Sequence, residues 1–214
     1  MGEYKMKTKY RNILSIILPN KKINIFSVIL IIIGLSLGSL YSTVLGTNDK
    51  TIVIEKITTF ITNINNNQIN NLQILRNSTM INVLYIMSIW LLGLTLIGLI
   101  MAIFLLLFKS FILGFTISSF YLTYKYKGII LSILYIINSA FINIMIIFLL
   151  SVYSVTFTIK FIKTFKNNNT LDIKKFIKKY LFLLIICLIL TTISSLLEAF
   201  LFPAILKFII KLFV

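Results

Sequence analysis

Histidine is absent from this chain of 214 residues, and cysteine occurs only once, at position 187. A lone cysteine cannot form a disulfide within the chain, and its place in an apolar run is typical of a small buried hydrophobic side chain. Acidic residues are scarce as well, with five Asp and Glu against 21 Lys and Arg. Because a metal site needs about three or four Cys, His, Asp or Glu ligands close together, we expect no metal and no cofactor.

The same scarcity argues against catalysis. General acid–base chemistry needs carboxylates, His or Lys within reach of one another. Glu198 is the only acidic residue inside an apolar run, and it stands alone there in the sequence. The segment 46–51 also lacks the spacing of a phosphate-binding loop. We therefore expect that the chain is not an enzyme.

Apolar residues are what the chain has in excess, at 59% of the sequence. Soluble domains contain roughly 45–50%, and a domain of this size has too much surface to bury more. The composition therefore predicts an all-α integral membrane protein, with membrane lipid as its solvent. About 20 apolar residues are needed to cross a bilayer. Five transmembrane spans are predicted, at about 25–44, 82–108, 110–124, 128–159 and 181–202.

The first span competes with a secretory signal peptide, whose apolar core is shorter, at roughly 7–15 residues. The run 25–44 is longer, and residues 40–43 offer no good cleavage site. We therefore interpret it as a retained span.

The segment 46–80 is polar, yet it carries apolar residues at helical spacing on both sides of Asn65–Asn67. Such spacing predicts two short amphipathic helices that are broken at this Asn cluster. The apolar stripes consist of Val53, Ile57, Phe60, Ile61 and Ile64, and then of Ile69, Leu72 and Leu75.

Basic residues predict the orientation, because they accumulate on the cytoplasmic side of membrane spans. With the N-terminus inside, fourteen of the 21 basic residues lie in the predicted cytoplasmic parts 1–24, Lys109 and 160–180. The predicted topology is therefore N-in and C-out, with 46–80 outside. A rival topology makes 110–124 a re-entrant hairpin and would put the lysine-rich segment 160–180 outside.

The segment 160–180 holds seven lysines among apolar residues at helical spacing, with Thr170 as a candidate N-cap and Asp172 in the first turn. Setting the topology is one role for it, and lying on anionic lipid, at about 1 kcal/mol per Lys, is another. Since the basic residues flank apolar runs, we expect no nucleic-acid partner.

Two ridges of small residues carry the first functional signal. Gly34, Gly38 and Ser42 are spaced by four in the first span, and Ser110, Gly114 and Ser118 repeat this spacing in the third. Small residues at this spacing let two helix backbones approach closely. The ridges could pack inside this chain or dock a partner helix, and the sequence leaves both open.

Glu198 carries the second signal, since carboxylates inside a membrane span are costly. It shares a helix face with Thr191, Ser194 and Ser195 and lies about one turn before Pro203, which we interpret as the end of the fifth span near the outer interface. A hydrogen bond to a neighbouring helix, a partner contact or gating role, and a proton or ion relay are the interpretations left open.

Two motifs resemble the stage II sporulation protein M family. The segment 108–120 (FKSFILGFTISSF) is similar to that family's F-K-G-F-x-L-G-F-T signature, and 197–203 (LEAFLFP) is similar to its E-A-x-x-x-P motif. The pattern from Trp90 to Gly98 and Gly38 near Tyr41 also fit, so the resemblance covers essentially the whole chain.

The chain departs from the family pattern at two places. Ser110 stands where the family has Gly, and the family's P-Q-N segment is Ile136-Ile137-Asn138 here, which keeps only the Asn. The missing proline puts a kink there in doubt. Lys109, Gly114, Glu198 and Pro203 match the motifs, and the resemblance implies structural or docking roles for them.

The resemblance also implies a function. The family is needed for engulfment during endospore formation, in the septal membrane of the mother cell. It is similar to a scaffold that holds two peptidoglycan hydrolases, sporulation proteins D and P. We therefore expect a non-enzymatic scaffold with these partners. A membrane subunit of a transporter is the alternative, and a structural protein whose homo-oligomer shapes the septum is a third interpretation.

Overall fold

The computed structural model describes residues 21–95, 97–167 and 173–213. Every element in those ranges is a helix, which confirms the predicted all-α class. In chain order the elements are α1 (Lys21–Val44), α2 (Thr47–Asn65), α3 (Asn71–Gly93), α4 (Gly98–Tyr124), α5 (Tyr126–Tyr135), π1 (Ile136–Ala140), α6 (Phe141–Asn167), α7 (Ile173–Leu196), π2 (Leu197–Leu201) and α8 (Phe202–Phe213).

Four helical segments of the described chain are long and apolar enough to cross a membrane. They are Lys21–Val44, Gly98–Tyr124, Phe141–Ile162 and Ile177–Ile209. A fifth crossing would fall to α3, whose first half is polar and whose second half is apolar from Ile81 onward. The number of crossings and the N-in orientation stay predictions.

The predicted boundary between the second and third spans, at Lys109, is wrong. Helix α4 continues through Lys109 without interruption and is about 40 Å long at 1.5 Å per residue. Residues 110–124 are accordingly the second half of one helix and not a re-entrant hairpin. Nor does Lys109 lie in a cytoplasmic loop.

The turn before α4 lies between Gly93 and Gly98 instead. Gly98 is required there, because a Cβ on it would overlap the carbonyl oxygen of Leu92. The turn connects two apolar helices through residues that are themselves apolar, apart from Thr95. Hydropathy alone therefore does not reveal it, whereas a lysine in an apolar run resembles a boundary.

Helix directions follow from the pairs of residues that meet. Gly34 faces Ser110 and Ser42 meets Ser118, so α1 and α4 run parallel. Both helices therefore begin at the same end of the bundle.

The other long helices alternate with them. The hydroxyls of Ser132 and Ser151 donate to the carbonyl oxygens of Ile117 and Ala102, so α5 and α6 run antiparallel to α4. Helix α7 runs antiparallel to α3, because Tyr180 lies beside the end of α3 and the following π2 lies beside the beginning of α3. These directions are the ones that five crossings require.

The helix predicted to end at Pro203 continues through it into α8, so this predicted end is wrong. Proline has no N–H to donate to the carbonyl of Ala199, four residues earlier. Helix π2 accommodates this loss, because Phe202 donates its N–H to Leu197, five residues earlier. A second such bulge, π1, stands where the family's proline is missing, so the helix is irregular there without one.

Most of the predicted loop 160–180 is helical, because α6 reaches Asn167 and α7 begins at Ile173. The lysines of this segment whose side chains are described, Lys160, Lys178 and Lys179, are exposed, so helical structure there leaves their charged ends in water. The predicted N-cap at Thr170 lies outside the described residues.

Helix α2 and the start of α3 occupy the segment 46–80. Asn70 caps α3 by accepting a hydrogen bond from the backbone N–H of Gln73 at 3.1 Å. The second amphipathic helix is therefore not separate, because α3 continues into the bundle. On α2 the apolar stripe faces inward, and Ile61 and Ile64 pack with Phe202 and Leu206 of α8.

The topology can be tested by labelling cysteines with a membrane-impermeant maleimide. In a Cys187→Ala background, we expect Asn66→Cys to react in intact protoplasts, because it lies between α2 and α3 on the predicted outer side. Lys178→Cys should react only after permeabilisation. Labelling of Lys178→Cys in intact protoplasts would contradict the N-in orientation.

Candidate functional site

The two ridges of small residues pack against each other. A Cβ on Gly34 would approach the carbonyl oxygen of Leu107 and the Cβ of Ser110 to 2.7 Å each, and one on Gly38 would overlap the carbonyl oxygen of Phe111. The backbones of α1 and α4 thus meet directly, with no room for a side chain between them.

The contact continues towards the ends of both helices. The carbonyl of Leu35 occupies the place of a Cβ on Gly114, and the Ser39 hydroxyl donates to the Gly114 carbonyl at 3.3 Å. The hydroxyl of Ser42 then donates to that of Ser118 at 2.6 Å. Because the ridges occupy each other, a docking role for them towards a partner helix is not supported.

A second set of residues surrounds a cavity of about 310 Å³ between α3, α4, α6 and the two π-helices. Its wall combines charged, polar and apolar side chains. The lining residues are Ser78, Ile81, Asn82, Tyr85, Lys109, Ile112, Leu113, Tyr135, Ala140, Asn143, Ile144 and Glu198.

Lys109 provides the positive charge of this cavity. It lies about 16 Å from the beginning of α4 and about 22 Å from its end, far from either terminus. Its Nζ donates a hydrogen bond to Oδ1 of Asn82 at 3.0 Å and lies 4.7 Å from the centre of the Tyr85 ring. Both contacts favour the ammonium, since an amide oxygen and the face of an aromatic ring are electron-rich.

Glu198 provides the negative charge, and a chain of hydrogen bonds connects it to Lys109. The Asn82 amide donates from Nδ2 to Oγ of Ser78 at 3.4 Å, and this hydroxyl donates to Oε2 of Glu198 at 2.7 Å. Lys109 and Glu198 line one cavity without a direct ion pair. The expectation that Glu198 stands alone is therefore wrong, because its partner comes from a helix 89 positions earlier in the chain.

Asn138 fixes the position of the segment that carries Glu198. From π1 it donates a hydrogen bond through Nδ2 to the carbonyl oxygen of Leu197 at 3.0 Å. Leu197 is the first residue of π2, which ends directly before Phe202 and Pro203. Asn138 and Pro203 therefore both help to position Glu198. All three residues are ones that the family motifs share with this chain.

Five polar residues of the cavity were not predicted from the sequence as site residues. Three of them, Ser78, Asn82 and Tyr85, are spaced by four and three on α3, so a polar stripe at helical spacing was the available signal. Tyr135 and Asn143 had no such signal, because they lie on either side of π1, where the helical period is interrupted.

The family model of stage II sporulation protein M matches residues 27–203. The chain belongs to this family. Membership confirms the resemblance and, with the apolar helices, identifies a sporulation-related, multi-pass membrane protein. No curated protein and no solved structure matches the chain.

Within this family member, the charged groups of the cavity determine what it can bind. In the described ranges, no three His, Cys, Asp or Glu residues lie close enough together to hold a metal ion. What the cavity offers is one cation and one anion, held apart by an amide and a hydroxyl. Such an arrangement can bind a group that carries both charges.

The contact between the ridges can be tested with a matched pair of glycine variants. Gly38→Ser would push α1 away from α4, and we expect a loss of about 1–3 kcal/mol, the usual cost of overpacking. Gly46→Ser is the control, because a side chain there meets open space and serine is a good N-cap. Thermal unfolding in detergent measures both, and equal stability of the two variants would contradict the packing.

The link between the two charges can be tested with a double-mutant cycle. Lys109→Gln and Glu198→Gln each leave one uncompensated charge. The double variant should therefore lose less free energy of unfolding than the sum of the losses in the two single variants. We expect a coupling free energy of about 1–3 kcal/mol from unfolding in detergent. Lys56→Gln with Glu55→Gln, both exposed on α2, is the control cycle. Additive effects at Lys109 and Glu198 would show that the charges do not interact.

Proposed function

We propose that the protein is a non-enzymatic membrane scaffold of the engulfment complex, which holds the peptidoglycan hydrolases sporulation proteins D and P at the septal membrane of the mother cell. Membership in the family supports the sporulation role. The observation that carries the scaffold is the way α2 is held on the bundle, because a scaffold needs a rigid surface outside the bilayer.

Helix α2 is anchored at its C-terminal half. Ile61 and Ile64 are buried, and the ring of Phe60 stacks on that of Phe202 with centroids 6.4 Å apart. Beyond the end of α2, Lys207 of α8 donates a hydrogen bond to the Asn67 side chain. Apolar and polar contacts to α8 therefore fix α2 at this end of the bundle.

The opposite face of α2 remains exposed and is mostly polar, with Ile52 as an exposed apolar residue within it. It offers charges of both signs and several hydroxyls that no neighbouring helix covers. These exposed residues are Asn48, Asp49, Thr51, Glu55, Lys56, Thr59 and Thr62. With the N-terminus inside, this face points away from the cytoplasm, towards the side where peptidoglycan lies. It is therefore the surface that we assign to the outer domains of the hydrolases.

This assignment replaces the small-residue ridges as the docking surface. The ridges are occupied within the chain, so we assign the partners to another surface. Lipid-facing side chains of α1, such as Ile25 and Ile32, remain exposed but lack polar groups that would select a partner.

Co-purification from membranes of sporulating cells, with mass spectrometry of the recovered proteins, tests the proposal. We expect both hydrolases with the tagged wild type. The triple variant Glu55→Ala, Lys56→Ala, Thr59→Ala should lower their recovery about tenfold, which corresponds to about 1.4 kcal/mol of binding free energy. The control is Lys178→Ala, Lys179→Ala at the other end of the bundle. Recovery of the tagged protein alone from wild-type cells would contradict the scaffold and favour a homo-oligomer.

The charged cavity favours a second candidate, the membrane subunit of a transporter. Transporters place substrate sites inside the bilayer and line them with ionisable residues. Uptake into vesicles by the purified protein, lost in Glu198→Ala, would support it, as would an ATPase recovered in the co-purification. Absence of uptake for charged and zwitterionic small molecules would count against it.

A further inference from the structure

Lys109 and Glu198, at the two ends of the hydrogen-bond chain, both keep hydrogen-bonding capacity. An ammonium has three N–H donors, and Lys109 donates one of them to another side chain. Glu198 accepts at Oε2 alone, so Oε1 accepts no hydrogen bond from the described residues. A cation and an anion thus both keep binding capacity, and both line the same cavity.

Asn143 adds an acceptor without a donor. Its side chain is only 8% exposed, and Oδ1 is buried without a hydrogen-bond partner among the described residues. A buried polar atom in this state costs about 1–3 kcal/mol unless something else satisfies it. Since Asn143 lines the cavity, a rotation of its side chain would bring this atom to an occupant of the cavity.

The size and the outer rim of the cavity restrict the occupant. About 310 Å³ lies at the lower end of the range found for small-molecule sites. Ile81 and Ile112 line the cavity and are also exposed on the outside of the bundle, by 52% and 37%. The cavity therefore reaches the surface between α3 and α4, beside apolar side chains that face lipid.

We propose that this cavity binds a zwitterion with a primary ammonium and a phosphate or carboxylate close to it, the chemistry of an ethanolamine phospholipid headgroup. The ammonium donates to Oε1 of Glu198 and to Oδ1 of Asn143, and the anionic group accepts from Lys109. The apolar rim at Ile81 and Ile112 favours a lipid as the source, because its acyl chains lie along these side chains outside the cavity.

Three phospholipids discriminate this chemistry without any variant. The purified full chain is mixed with phosphatidylethanolamine, phosphatidylcholine or phosphatidylglycerol, and retained lipid is counted by native mass spectrometry. Phosphatidylcholine keeps the positive charge but has no N–H to donate, and phosphatidylglycerol has no cation. We expect phosphatidylethanolamine to be retained about tenfold better than either, the factor that one charge-assisted hydrogen bond provides. Equal retention of all three lipids, without the stabilisation by a soluble zwitterion described next, would overturn the proposal.

Variants locate the binding, and a soluble probe identifies the source. Glu198→Gln and Asn143→Leu should each lower retention of phosphatidylethanolamine to the level of phosphatidylcholine, whereas Glu55→Gln should leave it unchanged. Unchanged retention in both cavity variants, with normal size-exclusion profiles, would place the lipid elsewhere and overturn the site. Alanine serves as a zwitterion without acyl chains. Thermal stabilisation by alanine that Glu198→Gln abolishes, without lipid retention, would support the zwitterion site and assign its ligand to solution.

Discussion

A positive charge inside an apolar helix constrains the arrangement of this bundle. An unpaired lysine inside a membrane span costs up to about 2.5–3.5 kcal/mol on insertion scales, so Lys109 needs polar neighbours from other helices. Asn82 and Tyr85 meet this need from α3, and Ser78 extends the contact to Glu198. Helices α3 and α4 and the segment π2 are thereby fixed relative to one another through polar side chains.

The two π-helices place the remaining parts around that charge. In an uninterrupted α-helix the side chains after residue 197 would lie about 100° away from where the extra residue of π2 puts them. Asn138 of π1 then holds the first carbonyl of π2 in place. Irregular helix geometry is common at functional sites, and here both irregular segments contribute to one cavity. The two π-helices and the two charged residues therefore contribute to the same cavity.

The sequence predicted those features that depend on local pattern. The all-α class, the break after Asn65 and the close-packing capacity of the Gly34 and Gly114 ridges all follow from spacing and composition. The predictions from the sequence were wrong where a feature depends on contacts between distant parts of the chain or on irregular helix geometry. Lys109 looked like a boundary because its partner Asn82 lies 27 positions away, and Glu198 looked isolated because Lys109 lies 89 positions away. Pro203 looked like an end because a π-bulge, which sequence spacing does not show, lets the helix continue.

The pairing of α1 with α4 has a consequence for how the chain is made. The hydroxyls of Ser42 and Ser118, which meet in the folded protein, are 76 residues apart in the chain. At a synthesis rate of about 5–20 residues per second, α1 therefore spends about 4–15 s in the membrane before its partner surface has been translated. During that interval its glycine face is open to lipid and to every other helix nearby. The close contact between the two backbones can therefore form only after α4 has been translated.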